Sequence, residues 1–175
     1  LQTAIFFFAV LFFACPAALF FASPFALPEA LKNNPLLDFS GLPKFSAFTP
    51  TDVAPAIDFL INHNREQVEK IAAIAAPDWD NFFVPLSDAA DKLNRVWGIV
   101  VHLNNVKNSD ALREAHDAAL AKITDYSSWL GQHEALYQGF VKLKEAVTFA
   151  AYSPAQQKAI TDALRDFRLS GIGLP

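Results

Sequence analysis

The stretch "TPTDVAPAIDFLINHNREQVEKIAAIAA", Thr49 to Ala76, decides the fold. Val53, Ile57, Leu60, Ile61, Val68, Ile71 and Ala75 recur at steps of three and four. That spacing lines one face of an α-helix and cannot line one face of a strand. Thr49 offers a capping oxygen, Pro50 a preset φ at the first helical position, and Asp52 a negative charge beside the positive helix end. Pro55 either kinks this helix or moves its true start.

The same periodicity continues towards the C-terminus. A long second helix is expected over Trp79–Asn104, with Phe82, Phe83, Leu86, Leu93, Val96, Trp97, Val100 and Leu103 on one side. "KNSDALREAH" gives a turn and a cap at Ser109, then a third helix to about Trp129 with Leu112, Ala115, Ala119, Ile123 and Tyr126 facing inward. A fourth runs from about Gln132 to Val147 on Leu136, Tyr137, Phe140, Val141 and Leu143. The fifth opens with "SPAQ", where Ser153 caps, Pro154 takes the first position and Gln156 completes a capping box. Its stripe is Ile160, Ala163, Leu164 and Phe167. "SGIGLP" places a helix C-cap at Gly171, followed by a stop or by a bend leading onward. No segment alternates as a strand does, so the fold class is all-α: antiparallel hairpins or a bundle of about five helices. The two long helices should form a hairpin onto which the others pack.

Towards the N-terminus, Asn33–Pro50 ("NNPLLDFSGLPKFSAFTP") is rich in Pro, Gly and Ser. It reads as an extended lead-in pinned by Leu36, Leu37, Phe39, Phe45 and Phe48. Before it lies an apolar segment without a charged residue from Leu1 to Pro28. It is long enough to cross a bilayer as a helix. Three readings of it stand: a membrane anchor (residues 4–27), an export signal, or residues foreign to the working protein. No Lys or Arg precedes the run, against a signal; Pro16, Pro24 and Pro28 interrupt or end it, against a clean anchor. The expected division is therefore residues 1–32, an apolar leader, and residues 33–175, one helical domain.

At 175 residues the chain holds one domain with a real core. Its net charge of −4 comes from interspersed charges of both signs, which excludes a nucleic-acid partner on electrostatic grounds. A single cysteine, Cys15, excludes an internal disulfide and thiolate zinc clusters, and a cysteine-free body fits a reducing compartment.

Within "WLGQHEALYQGF" (129–140), His133-Glu134 is half of the zinc-protease pattern H-E-x-x-H, but Tyr137 stands where the second histidine would grip the metal. The other histidines, His63, His102 and His116, lie on separate segments, none four residues from another. His133 has a structural alternative, opening the fourth helix with Glu134 at the positive end of its dipole. Ser127, Ser128 and Ser153 lack a nucleophile elbow, and no Gly-rich phosphate loop occurs. Carboxylates fall into solvated i,i+4 pairs, Asp88 with Lys92 and Asp91 with Arg95. Trp79, Trp97, Trp129, Tyr126 and Tyr137 fall mostly on apolar stripes, where core packing accounts for them.

Four strings carry more than spacing: "NPLLDFSGLPKFSAFTPTDVAPAI", "HLNNVKNSDALREAHDAAL", "DYSSWLGQHEALY" and "ALRDFRLSGIGLP". In order and at natural spacing, from about Asn34 to Pro175, they resemble the N-terminal helical region of the thimet oligopeptidase family of zinc metallopeptidases. The resemblance implies a cytosolic, almost wholly helical enzyme that degrades short peptides in a channel between two lobes. It also implies a zinc ion on an H-E-x-x-H helix, with the motif's glutamate activating the zinc-bound water. Those positions have no counterpart here, so no catalytic, cofactor-binding or metal residue is expected in this chain, and the chain alone is expected to be inactive. The leader has no counterpart in the family either. The chain thus reads as an N-terminal fragment that walls the channel and meets short peptide substrates only through the parent enzyme. The alternative is a non-enzymatic helical interaction module, membrane-anchored if the leader is genuine.

Overall fold

The computed structural model describes residues 25–172. The leader up to residue 24, read above as anchor, signal or foreign sequence, lies outside the described residues. Among those described, every regular element is helical: α1 (Val53–Ala72), α2 (Val84–Val106), α3 (Asp110–Gly131), α4 (Glu134–Glu145) and α5 (Pro154–Leu169), with short 3-10 turns and one π turn between them. None of these helices is long and apolar enough to cross a membrane.

The helix starts follow the sequence closely. Thr49 and Asp52 form a reciprocal capping box around a 3-10 turn, Pro50–Asp52, that leads into α1. Pro55 then falls in the first turn of α1, where no backbone N–H is needed, so it fixes the start without breaking the helix. Ser109 accepts from the Leu112 N–H at 3.2 Å, and Ser153 with Gln156 closes the box at α5. At the far end of α5, Gly171 has φ of 103°, the left-handed conformation glycine tolerates.

Elsewhere the structure corrects the reading. Ala75 lies beyond the end of α1 and is exposed, because the helix stops before Pro77. The second helix is not continuous from Trp79. Asp78 and Asn81 cap a π turn over Trp79–Phe83, and only then does α2 begin. Phe82 in that turn is completely buried. Helix α4 ends at Glu145, two residues short of Val147, which lies 97% exposed in a 3-10 turn. Phe45 does not pin the lead-in; it is 42% exposed, lying against His102 at 5.3 Å.

Two cores form on α1. The first joins its N-terminal half (Val53, Ile57, Leu60) to the later part of α2 (Leu93, Val96, Val100) and to Tyr126 of α3, under Leu36 and Leu37 of the lead-in. Phe25, Leu27 and Leu31 also pack against it. Asn34 ties the lead-in down, donating from Nδ2 to the Asp52 carbonyl at 2.9 Å and accepting from the Leu36 N–H at 3.0 Å. The second core joins the C-terminal half of α1 (Val68, Ile71) to Phe82, to α4 (Leu136, Phe140, Leu143) and to α5 (Ile160, Leu164, Phe167). Trp129 and Leu130, at the end of α3, touch both. Between the cores sits Asn64, fully buried, its Nδ2 donating to the Ala89 carbonyl of α2 at 3.0 Å while its Oδ1 meets no hydrogen-bond partner among the described residues.

Candidate functional site

The half-motif at His133-Glu134 resolves into a helix cap. A backbone N–H can only donate, so His133 Nδ1 accepts from the Leu136 N–H at 3.2 Å, and the ring proton sits on Nε2, which faces Glu69 Oε1 at 3.2 Å. Both nitrogens are thus engaged. Trp129 meets the imidazole edge-on at 5.1 Å, and Arg65 of α1 lies over the other side of the joint, 4.3 Å from the Trp129 ring. Glu134 follows the cap in the first turn of α4, where the helix dipole favours its charge. Tyr137 is half-buried and packs against Phe167 at 5.9 Å, as a core aromatic.

The other histidines are placed apart. His63 of α1 is held between Phe25 at 5.2 Å and Phe59 at 6.0 Å. Burial pushes its pKa below 6.5, with Lys92 and Lys70 acting the same way and Glu66 opposing them. His102 faces Phe45, and His116 stacks on Trp97 at 4.9 Å while its Nδ1 meets Asp117 Oδ1 at 2.9 Å. Among the described residues no three His, Cys, Asp or Glu side chains gather as a metal would require. The zinc implied by the resemblance does not fit the residues present here.

The expected ion pairs on α2 also differ. Lys92 sends Nζ to the backbone carbonyl of Asp88 at 3.4 Å and lies over the Phe25 ring at 5.4 Å. Arg95 donates to the Gly41 carbonyl and lies 5.7 Å from the Phe39 ring. Phe25, and Phe39 and Gly41 of the lead-in, offer aromatic faces and a carbonyl that draw both cations away from Asp88 and Asp91.

What the sequence did not announce is a cleft. It has a volume of about 280 Å³ where the end of α3 meets α4 and α5, walled by Leu130, Leu136, Phe140 and Phe167, with Ser127 and Asp166 at its edge. A second hollow of about 540 Å³ lies in the lead-in near Lys32 and Lys44. Its lysines are already paired, Lys32 with Glu29 and Lys44 with Asp38, each at 2.5 Å. Lys44 and Ser40 hold the Asp38 carboxyl well below the usual range. Asn64 was also missed, yet it was visible in principle: it occupies the slot of the α1 stripe between Leu60 and Val68, a polar residue where the period demands an apolar one.

Comparison with known proteins places this array of helices. The family described as "Neurolysin/Thimet oligopeptidase, N-terminal domain" matches residues 57–175. The chain is 48% identical over 142 residues to oligopeptidase A of Haemophilus influenzae, covering 81% of this chain and 21% of that protein. It is 47% identical over 144 residues to oligopeptidase A of Escherichia coli, covering 82% and 21%. A probable cytosolic oligopeptidase A of Arabidopsis thaliana is 29% identical over 149 residues, covering 85% and 21%. The chain thus spans about a fifth of the length of the curated relatives it matches. With the all-helical fold and the family match over most of its length, the chain belongs to the neurolysin/thimet oligopeptidase family and corresponds to part of its N-terminal domain.

Proposed function

We propose that this chain is the helical N-terminal part of a cytoplasmic zinc metallo-oligopeptidase, related to oligopeptidase A, that hydrolyses short peptides. In this reading its helices wall the substrate channel and restrict entry to short unfolded chains, while the zinc and its activated water belong to a part of the enzyme outside these residues. The observation that carries the proposal is the similarity to oligopeptidase A at 48% identity, sustained across 142 residues. His133 supports it from the other direction: its Nδ1 caps α4 and its Nε2 meets Glu69 of α1, so both nitrogens are used in the fold. Its chemistry is architectural.

The test compares two proteins, the 175-residue chain and the product of its gene read through the downstream frame. With a short quenched-fluorescent peptide, the longer protein is expected to cleave and to lose activity to a zinc chelator, and the 175-residue chain to leave the peptide intact. A longer product that is inert towards short peptides would sink the proposal, as would chelator-sensitive cleavage by the 175-residue chain.

A further inference from the structure

The segment ahead of the lead-in is held differently at its two ends. Where it joins the lead-in it is pinned, since Asn34 donates to the Asp52 carbonyl at 2.9 Å. Among the described residues no hydrogen bond joins residues 25–27 to the helices, and packing alone holds that end: Phe25, Leu27 and Leu31 lie against the first core. Between the ends a 3-10 turn, Glu29–Leu31, closes on itself through the Leu31 N–H and the Pro28 carbonyl at 2.8 Å. Residues 25–31 are thus a strap with one fastened end and one resting end.

Phe25 carries the resting end. Its ring meets Phe39 and Phe59 edge-on, each at 5.6 Å, and His63 at 5.2 Å, while Lys92 Nζ of α2 lies 5.4 Å from the same ring. Where His133 is held by hydrogen bonds, His63 is held by rings, Phe25 against it edge to face and Phe59 stacked at 6.0 Å. A neutral imidazole suits that setting. A proton on it would put a second positive charge beside the ring that already faces Lys92, in a half-buried place where rings stand instead of solvating water. The charged groups that act on His63 are Lys92 from α2, and Glu66 and Lys70 from α1 itself. Glu29 and Lys32 of the strap pair with each other at 2.5 Å, as do Asp38 and Lys44 of the lead-in. Burial and the two lysines prevail over Glu66, so the covered imidazole stays neutral to lower pH than an ordinary histidine.

We propose that residues 25–31 are a pH-released strap, docked on the first core through Phe25 while His63 is neutral and let go at that end when His63 takes up a proton. Strap and proton compete for His63, so each weakens the other by the same factor. Docking is at full strength above pH 6.5 and is lost as the pH falls from there through the lower value that covered His63 has. Release bares the parts of Phe39 and Phe59 that Phe25 covers, while Asn34 keeps the lead-in in place. The strap does not depend on the peptidase reading.

Two measurements on the 175-residue chain test it. In an NMR titration of the His63 ring, Phe25→Ala is expected to raise the midpoint towards 6.5. A midpoint that Phe25→Ala leaves where it was would overturn the proposal, because strap and proton would not be linked. Hydrogen exchange reads the other side of the linkage and needs no change at Phe25. The protection of residues 26–33, corrected for intrinsic rates, should fall about threefold or more between about pH 7.5 and about pH 5, and stay level in His63→Gln. An equal fall in both proteins would assign the effect to other groups and overturn the strap. Protection already lost in His63→Gln at the higher pH would also overturn it, by showing that the ring contact and not the proton decides docking.

Discussion

The buried residues of the first core are aliphatic but for Tyr126 and lie under the lead-in, whereas the second adds three phenylalanines to its aliphatic side chains and opens at the cleft. In the first, Val, Ile and Leu side chains of α1 and α2 interdigitate beneath a lead-in that Asn34 fastens to the start of α1. In the second, Phe82, Phe140 and Phe167 meet ring to ring, at 5.1 Å between the first two and 5.7 Å between the last two, and the cleft breaks the surface above them. One helix, α1, serves both, so the contrast lies in what is packed onto it.

Removing a ring from the second core is the strongest way to break this comparison. Phe140→Ala should cost about 3–5 kcal/mol in urea unfolding, because a buried ring leaves a cavity that rigid helices cannot collapse around. If the cores are distinct units, hydrogen exchange should accelerate first in α4 and α5 while α1 and α2 stay protected. Uniform acceleration would mean that the two cores act as one.

Gly139→Ala probes the fit of α4 against the π turn. A Cβ at Gly139 would run into Cζ and Cε2 of Phe82, so the ring must move, at about 1–3 kcal/mol of overpacking. Up to about 1 kcal/mol returns through the better helix propensity of alanine. A net loss is expected in thermal unfolding; a net gain would show that Phe82 yields easily and that the second core is looser than its geometry implies.

The caps should behave alike despite the cores they serve. Thr49→Ala, leading into α1, and Ser153→Ala, at α5, each remove a reciprocal box and should each cost about 1 kcal/mol. A much larger effect at one end would locate the weaker core there.

The smallest effect expected is one of pH, confined to the first core. His63 has a folded-state pKa below 6.5, chiefly from burial, so the unfolded chain binds its proton more readily than the folded one. Its contribution is present above pH 6.5 and is lost as pH falls through the folded value. His63→Gln should flatten the stability profile in that window. An unchanged profile would remove His63 as its source.

The sequence made most of the first core legible because two signals agreed: aliphatic residues at helical spacing, and caps at Thr49 and Ser109 that mark where α1 and α3 begin. The residues of the second core were legible on their stripes too, Phe82 among them, but its local geometry was not. Its Phe82 depends on a π turn, which shifts the residue off the regular 3.6 repeat, and its cleft depends on how three helix ends meet, which no local pattern encodes. The α2 cations were misassigned for a related reason: Lys92 answers to Phe25, and Arg95 to Phe39 and to Gly41, 54 residues away in sequence. For the site, the sequence showed that His133-Glu134 was only half a motif, and raised the helix-start alternative. It left open the partner, Glu69, that makes the cap a joint.

The most direct test of the central claim, that these helices build part of a peptidase without holding its metal, is the zinc content of the purified 175-residue chain after dialysis. The account predicts no stoichiometric zinc in this chain and one bound zinc in the longer product of the gene. One tightly held zinc per 175-residue chain, lost on His133→Ala, would contradict it.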